Sequence, residues 1–311
     1  MDTNALMNVF QSGMTYVQPA LSTVVGALLT TLFLRRNTAK EELQKLKAKR
    51  FDEAADILLK SGKMSYYEYY RWNNFASVAK LADSAEVWKT NSAPDDSVAG
   101  FDFDWFIRFF DSAGNVSDTD MQQLWARVLA GEICNQGSFS LRAIETLRNM
   151  NQKEASLFEI AASLVLSEKN GTKFIMCTSN DLGQDINEQY GIGKNEFILL
   201  EECGLISSLR NDNRISLSEP LPGVWNDHII LLFSYKRSDG VLNSYKYSSY
   251  TLTQTARQLL SIVDSTPNDN YILEIGRELS KKYSSNLQIK AHKIQNEDIA
   301  DFKFETDDLL A

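Results

Sequence analysis

FDFDWFIRFFDSAGNVSDTDMQQLWARVLAGEICNQGSFSLRAIETLRNMNQKEASLFEIAASLVL, Phe101 to Leu166, is the most regular stretch of the chain, and its punctuation divides it into four helices. Ser117, with Asp120 three residues on, has the spacing of a helix start. Met121, Leu124, Trp125, Val128, Leu129 and Ile133 then recur at three and four, which lays a continuous apolar face along the helix that follows. Gly137 separates it from a helix carrying Leu141, Ile144 and Leu147. Asn151, with Glu154 at the capping-box offset, starts another with Leu157, Ile160, Ala161 and Leu164 on its apolar side. Residues 101–166 therefore read as a helical domain.

Towards the N-terminus, NSAPDDSVAG (Asn91–Gly100) has the composition of a linker. Before it, Tyr67, Tyr70, Asn74, Val78, Leu81, Ala85 and Trp88 recur at helical spacing. Leu43, Leu46, Ala54, Ile57 and Leu58 mark a preceding helix that ends at Gly62, so 37–100 reads as a helical hairpin and linker. Tyr66, Tyr67, Tyr69, Tyr70 and Trp72 could stack nucleic-acid bases, but aromatics at this spacing belong more often to a core or a contact face. Further upstream, VQPALSTVVGALLTTLFL (Val17–Leu34) carries no charge and, at 1.5 Å per residue, reaches roughly 27 Å, the thickness of a bilayer's hydrocarbon core. Arg35, Arg36, Lys40 and Lys45 follow it, whereas Asp2 alone is ionisable before it, a charge bias that sets topology or meets lipid head groups. Residues 1–36 thus predict a single-pass anchor in a bacterial inner membrane, with the N-terminus outside and the later domains cytoplasmic. Ser22, Gly26 and Thr30, spaced by four, form a small-residue face through which two such helices could pack into a homo-oligomer.

Towards the C-terminus the pattern changes to strands. FIMCTS (Phe174–Ser179), RISL, HIILLFSYKR and SYKYSSYTL are strand candidates, with an SDG turn at Ser238–Gly240. GIGKNEFILLEECGLIS is a helix ending at Gly204, and TARQLLSIV and ILEIGRELSKKY are further helices. NLQIKAHKI and an acidic tail, Glu297–Ala311, close the chain. A helix ending in GLI, a hairpin, and a strand leading into another helix resembles a winged-helix module over 167–311. The expected fold class is mainly α with an α+β C-terminal part: a transmembrane helix, a helical middle domain and a winged-helix-like domain.

The segment Asp104–Met150, above all LWARVLAGE (Leu124–Glu132) followed by GSFSLR (Gly137–Arg142), resembles the signature region of a bacterial family catalogued as domain of unknown function 2806. Weaker similarity continues through LLEECGLIS and YTLTQTARQLL. The resemblance implies a bacterial source and an all-helical centre, and brings no activity or catalytic residue with it.

Composition narrows the chemistry. The 311 residues are 43% hydrophobic and 23% charged, enough for two modest cores. With 32 Lys+Arg against 41 Asp+Glu the net charge is -9, so a nucleic-acid partner is not expected. The presumed recognition helix of a winged helix would set Lys194 against Glu196, Glu201 and Glu202, which opposes phosphate binding. Cys134, Cys177 and Cys203 are single and widely spaced, and His228 and His292 are the two histidines, so no metal knuckle or HExxH is written here. GIGK (Gly191–Lys194) lacks the spacing and terminal hydroxyl of a phosphate loop and reads as a turn. Asp227 and His228 are adjacent, hence on opposite faces of a strand, and cannot form a dyad with each other. Glu132 lies at the edge of an apolar helix; burial there suggests acid–base work, but pairing with Arg127 or Arg142 is the simpler expectation.

No catalytic, cofactor or metal residues are assigned. The sequence is read as a non-enzymatic, membrane-tethered bacterial interaction or sensor protein of envelope surveillance or phage defence, with the lipid bilayer and a protein as partners. A membrane-tethered winged-helix regulator and an enzyme whose residues converge only in three dimensions are the alternatives.

Overall fold

A computed structural model describes residues 53, 55–84, 102–179, 183–207, 211–217, 221–235, 244–296 and 303–310. The chain divides into two compact units, one up to Arg148 and one from Asn149.

The first unit is helical. A helix over residues 55–60 ends at Gly62, where Lys63 N–H returns to Leu58 O at 3.0 Å. It is followed by α1 (Tyr66–Ser84), α2 (Phe103–Ala113), α3 (Thr119–Cys134) and α4 (Leu141–Asn149). Their core is aromatic. Phe75 of α1 meets Phe106, Phe109 and Phe110 of α2 edge-on, and Phe109 meets Trp125 of α3 at 5.3 Å. Met121, Trp125, Val128, Leu129 and Ile133 are buried, as the spacing predicts, although the start moves by one residue: Asp118, not Ser117, accepts from Met121 N–H. The α1 stripe is different. Trp72, Phe75, Val78 and Ala82 face the core, whereas Tyr66 and Tyr67 are 83% and 62% exposed.

The second unit begins with α5 (Gln152–Ser163), whose expected capping box is present: Asn151 Oδ1 accepts from Glu154 N–H while Glu154 Oε2 accepts from Asn151 N–H. Its buried side is Ala155, Phe158, Ala161 and Ala162, and the expected stripe residue Ile160 is outside. Then come β1 (Leu166–Glu168), β2 (Lys173–Cys177), α6 (Ile186–Gln189), α7 (Lys194–Glu202), β3 (Asn211–Ser216), β4 (Gly223–Trp225), β5 (Ile229–Tyr235) and β6 (Ser244–Thr251). The chain continues through α8 (Gln254–Leu260), α9 (Asp269–Lys282), β7 (Leu287–Asn296) and β8 (Lys303–Phe304). The strands form one eight-stranded sheet, order β3-β6-β2-β1-β4-β5-β7-β8, with every pairing antiparallel.

That sheet corrects the expected fold class. The expected hairpin between β5 and β6 is absent, because β5 pairs with β4 and β7 while β6 pairs with β2 and β3. The winged-helix-like domain is therefore replaced by helices on an antiparallel sheet, and the SDG turn lies outside the described residues. The expected transmembrane helix is not supported either: among the described residues no helix is long and apolar enough to cross a membrane. The stretch Val17–Leu34 that motivated it lies outside those residues.

The sheet curls enough for Phe233 of β5 to stack on Tyr245 of β6 at 5.3 Å, although three strands separate them in the order. Helix α9 lies on this inner face with Ile272, Ile275 and Leu279 buried. It lies so close that a Cβ on Gly276 would come within 2.8 Å of Leu231 Cδ2, which is why a side chain is missing there. On the opposite face Phe197 of α7 stacks on Tyr250 at 4.3 Å. The acidic tail is not a free end: Glu305 N–H donates to Lys293 O, Leu309 N–H donates to Ala291 O, and Asp308 Oδ1 accepts from Ala291 N–H.

Candidate functional site

The second unit holds a cavity of about 180 Å³ where the end of β2, the start of β6 and the end of α9 meet. Each wall has its own support. The end of β2 is held by α6 and α9 through Asn187, whose Nδ2 donates to Met176 O at 2.9 Å and to Asp185 Oδ1 at 2.7 Å. The hydroxyl of fully buried Tyr271 lies 2.8 Å from Asn187 Oδ1, and Ile186 N–H donates to Thr178 O. β6 is held by the register Cys177↔Ser248 on one side and by all six residues of β3 on the other.

Alternation then sorts the lining. Met176 pairs with Ser249, which puts it on the face of Tyr245 and Tyr247, the side on which α9 brings Leu279, Lys282 and Tyr283. Lys246 and Ser248 belong to the other face, so strand backbone is their part of the wall. Tyr245 and Tyr283 pack edge-on at 5.1 Å and hydrogen-bond to each other. Burial, and then Tyr283, pushes the Tyr245 phenol far above its ordinary value, so it stays protonated and can donate. Lys282 Nζ sits 5.7 Å from the centre of the Tyr283 ring. Among the described residues the lining includes no carboxylate and no histidine. Tyr247 OH donates to Glu168 Oε2 at 3.0 Å.

The other chemistry-bearing residues lie elsewhere. His228 does form a dyad, not with Asp227 but with Asp269, 3.0 Å from its Nδ1, at the first turn of α9. Asn226 Oδ1 accepts from His228 N–H and Ile229 N–H and holds this turn. Sequence reasoning missed the pair because 41 residues separate its members. His292 is buried, with Nδ1 2.9 Å from Asp307 O and its ring against Phe304. Cys134 is buried in the first unit, and Cys177 lines the cavity. The Cys203 thiol is pushed up to about 11 by burial, then by Glu154 and Glu202, so it is a poor nucleophile. Among the described residues no group of His, Cys, Asp and Glu could hold a metal ion. GIGK is a turn and helix start, as expected, with Glu196 Oε2 accepting from Gly193 N–H. Ser22, Gly26, Thr30, Arg35, Arg36, Lys40 and Lys45 all lie outside the described residues.

In the first unit, LWARVLAGE and GSFSLR meet in space. Glu132 is buried, and its partners are backbone N–H groups rather than the expected arginines: Oε1 accepts from Gly137 N–H at 2.7 Å and Oε2 from Phe139 N–H at 3.1 Å. Phe139 O in turn accepts from Trp105 Nε1 at 2.6 Å. Its ring lies against α3 where a Cβ on Gly131 would come within 2.8 Å. Ser140 Oγ then accepts from Ala143 N–H and opens α4. The most distinctive residues of the sequence thus lock one loop rather than line a site.

No curated protein and no solved structure matches the chain. A family profile described as "Protein of unknown function (DUF2806)" matches residues 67–276, about two thirds of the chain, from the start of α1 to the middle of α9. It covers both the Glu132 loop and the greater part of the sheet, and the chain belongs to this family, DUF2806.

Proposed function

We propose that the protein is a non-enzymatic sensor whose second unit takes a small polar ligand into the cavity between β2, β6 and α9 and passes the bound state on by protein contact. The observation that supports this is the character of the cavity: hydroxyls and an amine, with no carboxylate or histidine among the described residues that line it. Acid–base catalysis at neutral pH needs a group that changes protonation near that pH, and a phenol pushed far above its ordinary value is not one. The His228–Asp269 pair is at the other end of α9, about 20 Å away at 1.5 Å per residue. The size of the cavity also selects. At roughly 30 Å³ per liquid water it has room for about six waters, and it falls below the ~300 Å³ of sites for drug-sized molecules.

The test is thermal unfolding of the full chain against a panel of small sugars, amino acids, carboxylates and phosphates. A ligand of the native state at a hundred times its Kd adds about 2.7 kcal/mol of stability, so one chemical class should raise Tm in a saturable way. A panel in which no class moves Tm overturns the reading.

A further inference from the structure

We infer that the ligand class is a small oxyanion, a phosphate or carboxylate group, held by Lys282 with the hydroxyls of Thr178 and Tyr283. This rests on the reading of the cavity as a binding site. It is carried by an imbalance between donors and acceptors.

Thr178 is 7% exposed, its carbonyl already accepts from Ile186 N–H, and its hydroxyl has no partner among the described residues. The Thr178 oxygen is open rather than sealed in the interior, and the residue lines the cavity, so this hydroxyl is available to a ligand. Lys282 has no carboxylate partner among the described residues, whereas Lys281 beside it is bonded to Glu278 at 2.6 Å. Tyr245 and Tyr283 pack edge-on at 5.1 Å beside the cavity, and at most one of the two phenol O–H groups is used between them, which leaves a donor for a ligand. An ammonium, a threonine hydroxyl and a phenol therefore belong to the wall of one cavity, and the described lining residues supply no anionic acceptor.

The competing ligands fit less well. A cation would meet Lys282 and find no carboxylate among the described lining residues. An apolar molecule would leave the Thr178 hydroxyl unbonded. An oxyanion accepts from every donor present, and charge-assisted bonds from Lys282 are the stronger kind. The chain as a whole is acidic at -9, so binding of an anion must come from this local set and not from long-range attraction.

The experiment is calorimetric titration of the full chain at fixed ionic strength with four probes: inorganic phosphate, acetate, glycerol 3-phosphate and glycerol. Saturable binding of phosphate or acetate is expected, with affinity falling tenfold or more in Lys282→Met and several-fold in Thr178→Val, and unchanged in Lys281→Met. Tighter binding of glycerol 3-phosphate than of phosphate identifies the head group of a larger metabolite as the source; equal binding identifies the free ion. Glycerol binding without either anion, or anion binding that Lys282→Met leaves intact, overturns the oxyanion inference while the cavity remains a binding site. Silence from all four probes, with no response in the thermal panel, removes both.

Discussion

Glu132 feels two opposing effects. Burial disfavours its charge, while the N–H groups of Gly137, Phe139 and Ser138 favour it, and burial wins, so its proton is held above the ordinary carboxylate value of 4.5. The sign for stability follows. As pH rises past 4.5 the unfolded chain releases this proton while the folded chain still holds it, so this carboxyl lowers stability as pH rises through the window between the two values, and its effect is constant above. Glu132→Gln should remove that pH dependence. At neutral pH it should still cost about 1–3 kcal/mol, because an amide offers a donor where Gly137 and Phe139 both need an acceptor. Denaturant titration of both proteins from pH 4 to 8 measures the two effects; parallel curves would remove Glu132 from the account. Gly131→Ala should cost about 1–3 kcal/mol, since the new methyl meets the Phe139 ring at 2.8 Å. The run LAGE was visible in the sequence, but its role was not: the acceptors and donors it joins are backbone groups, which a residue string does not display.

Helices were the most legible elements, and their faces were less so. The α3 stripe and the α5 capping box agree with their spacing because apolar recurrence and an Asn-x-x-Glu offset are local. In α1 two aromatic stripes compete, one through Tyr67 and Tyr70 and one through Trp72 and Phe75, and spacing cannot rank them. Tyrosine tolerates water through its hydroxyl, as Tyr67 shows by donating to Asn115 Oδ1, so the stripe without hydroxyls is the one that is buried. Trp125→Ala should therefore destabilise by about 3–5 kcal/mol. Tyr66→Ala, at 83% exposure, should change stability by less than about 0.5 kcal/mol. Urea midpoints at constant slope measure both, and equal losses would mean that the α1 face is assigned the wrong way round. Asn151→Ala should cost about 1 kcal/mol through the lost cap of α5.

At the scale of the whole molecule, alternation located β2, β3, β5, β6 and β7 but not their order. Pairing in this sheet joins residues far apart in sequence: Ile230 with His292, Ile175 with Tyr250. A local hairpin signal between β5 and β6 cannot outweigh it, because the apolar residues of β5 are buried only when β7 and α9 cover them. The cavity inherits the same difficulty, since its walls come from strands and a helix that span more than a hundred residues. The acidic tail is the clearest instance. Its composition reads as a solvated end, yet Asp308 Oδ1 accepts from Ala291 N–H and Leu310 N–H, and Leu310 packs beside Gly276. Ala291 stands opposite Leu231 in the ladder, but its own N–H points away from β5 to this carboxylate. Asp308→Ala should therefore speed hydrogen exchange at Ala291 while the amides that β7 donates to β5 keep their protection. Global stability should fall by only about 0.5–1.5 kcal/mol, the net worth of an ordinary hydrogen bond. If Ala291 exchanges at the same rate in both proteins, the tail does not close this edge of the sheet; if all of β7 loses protection together, the tail holds the whole strand and not one amide.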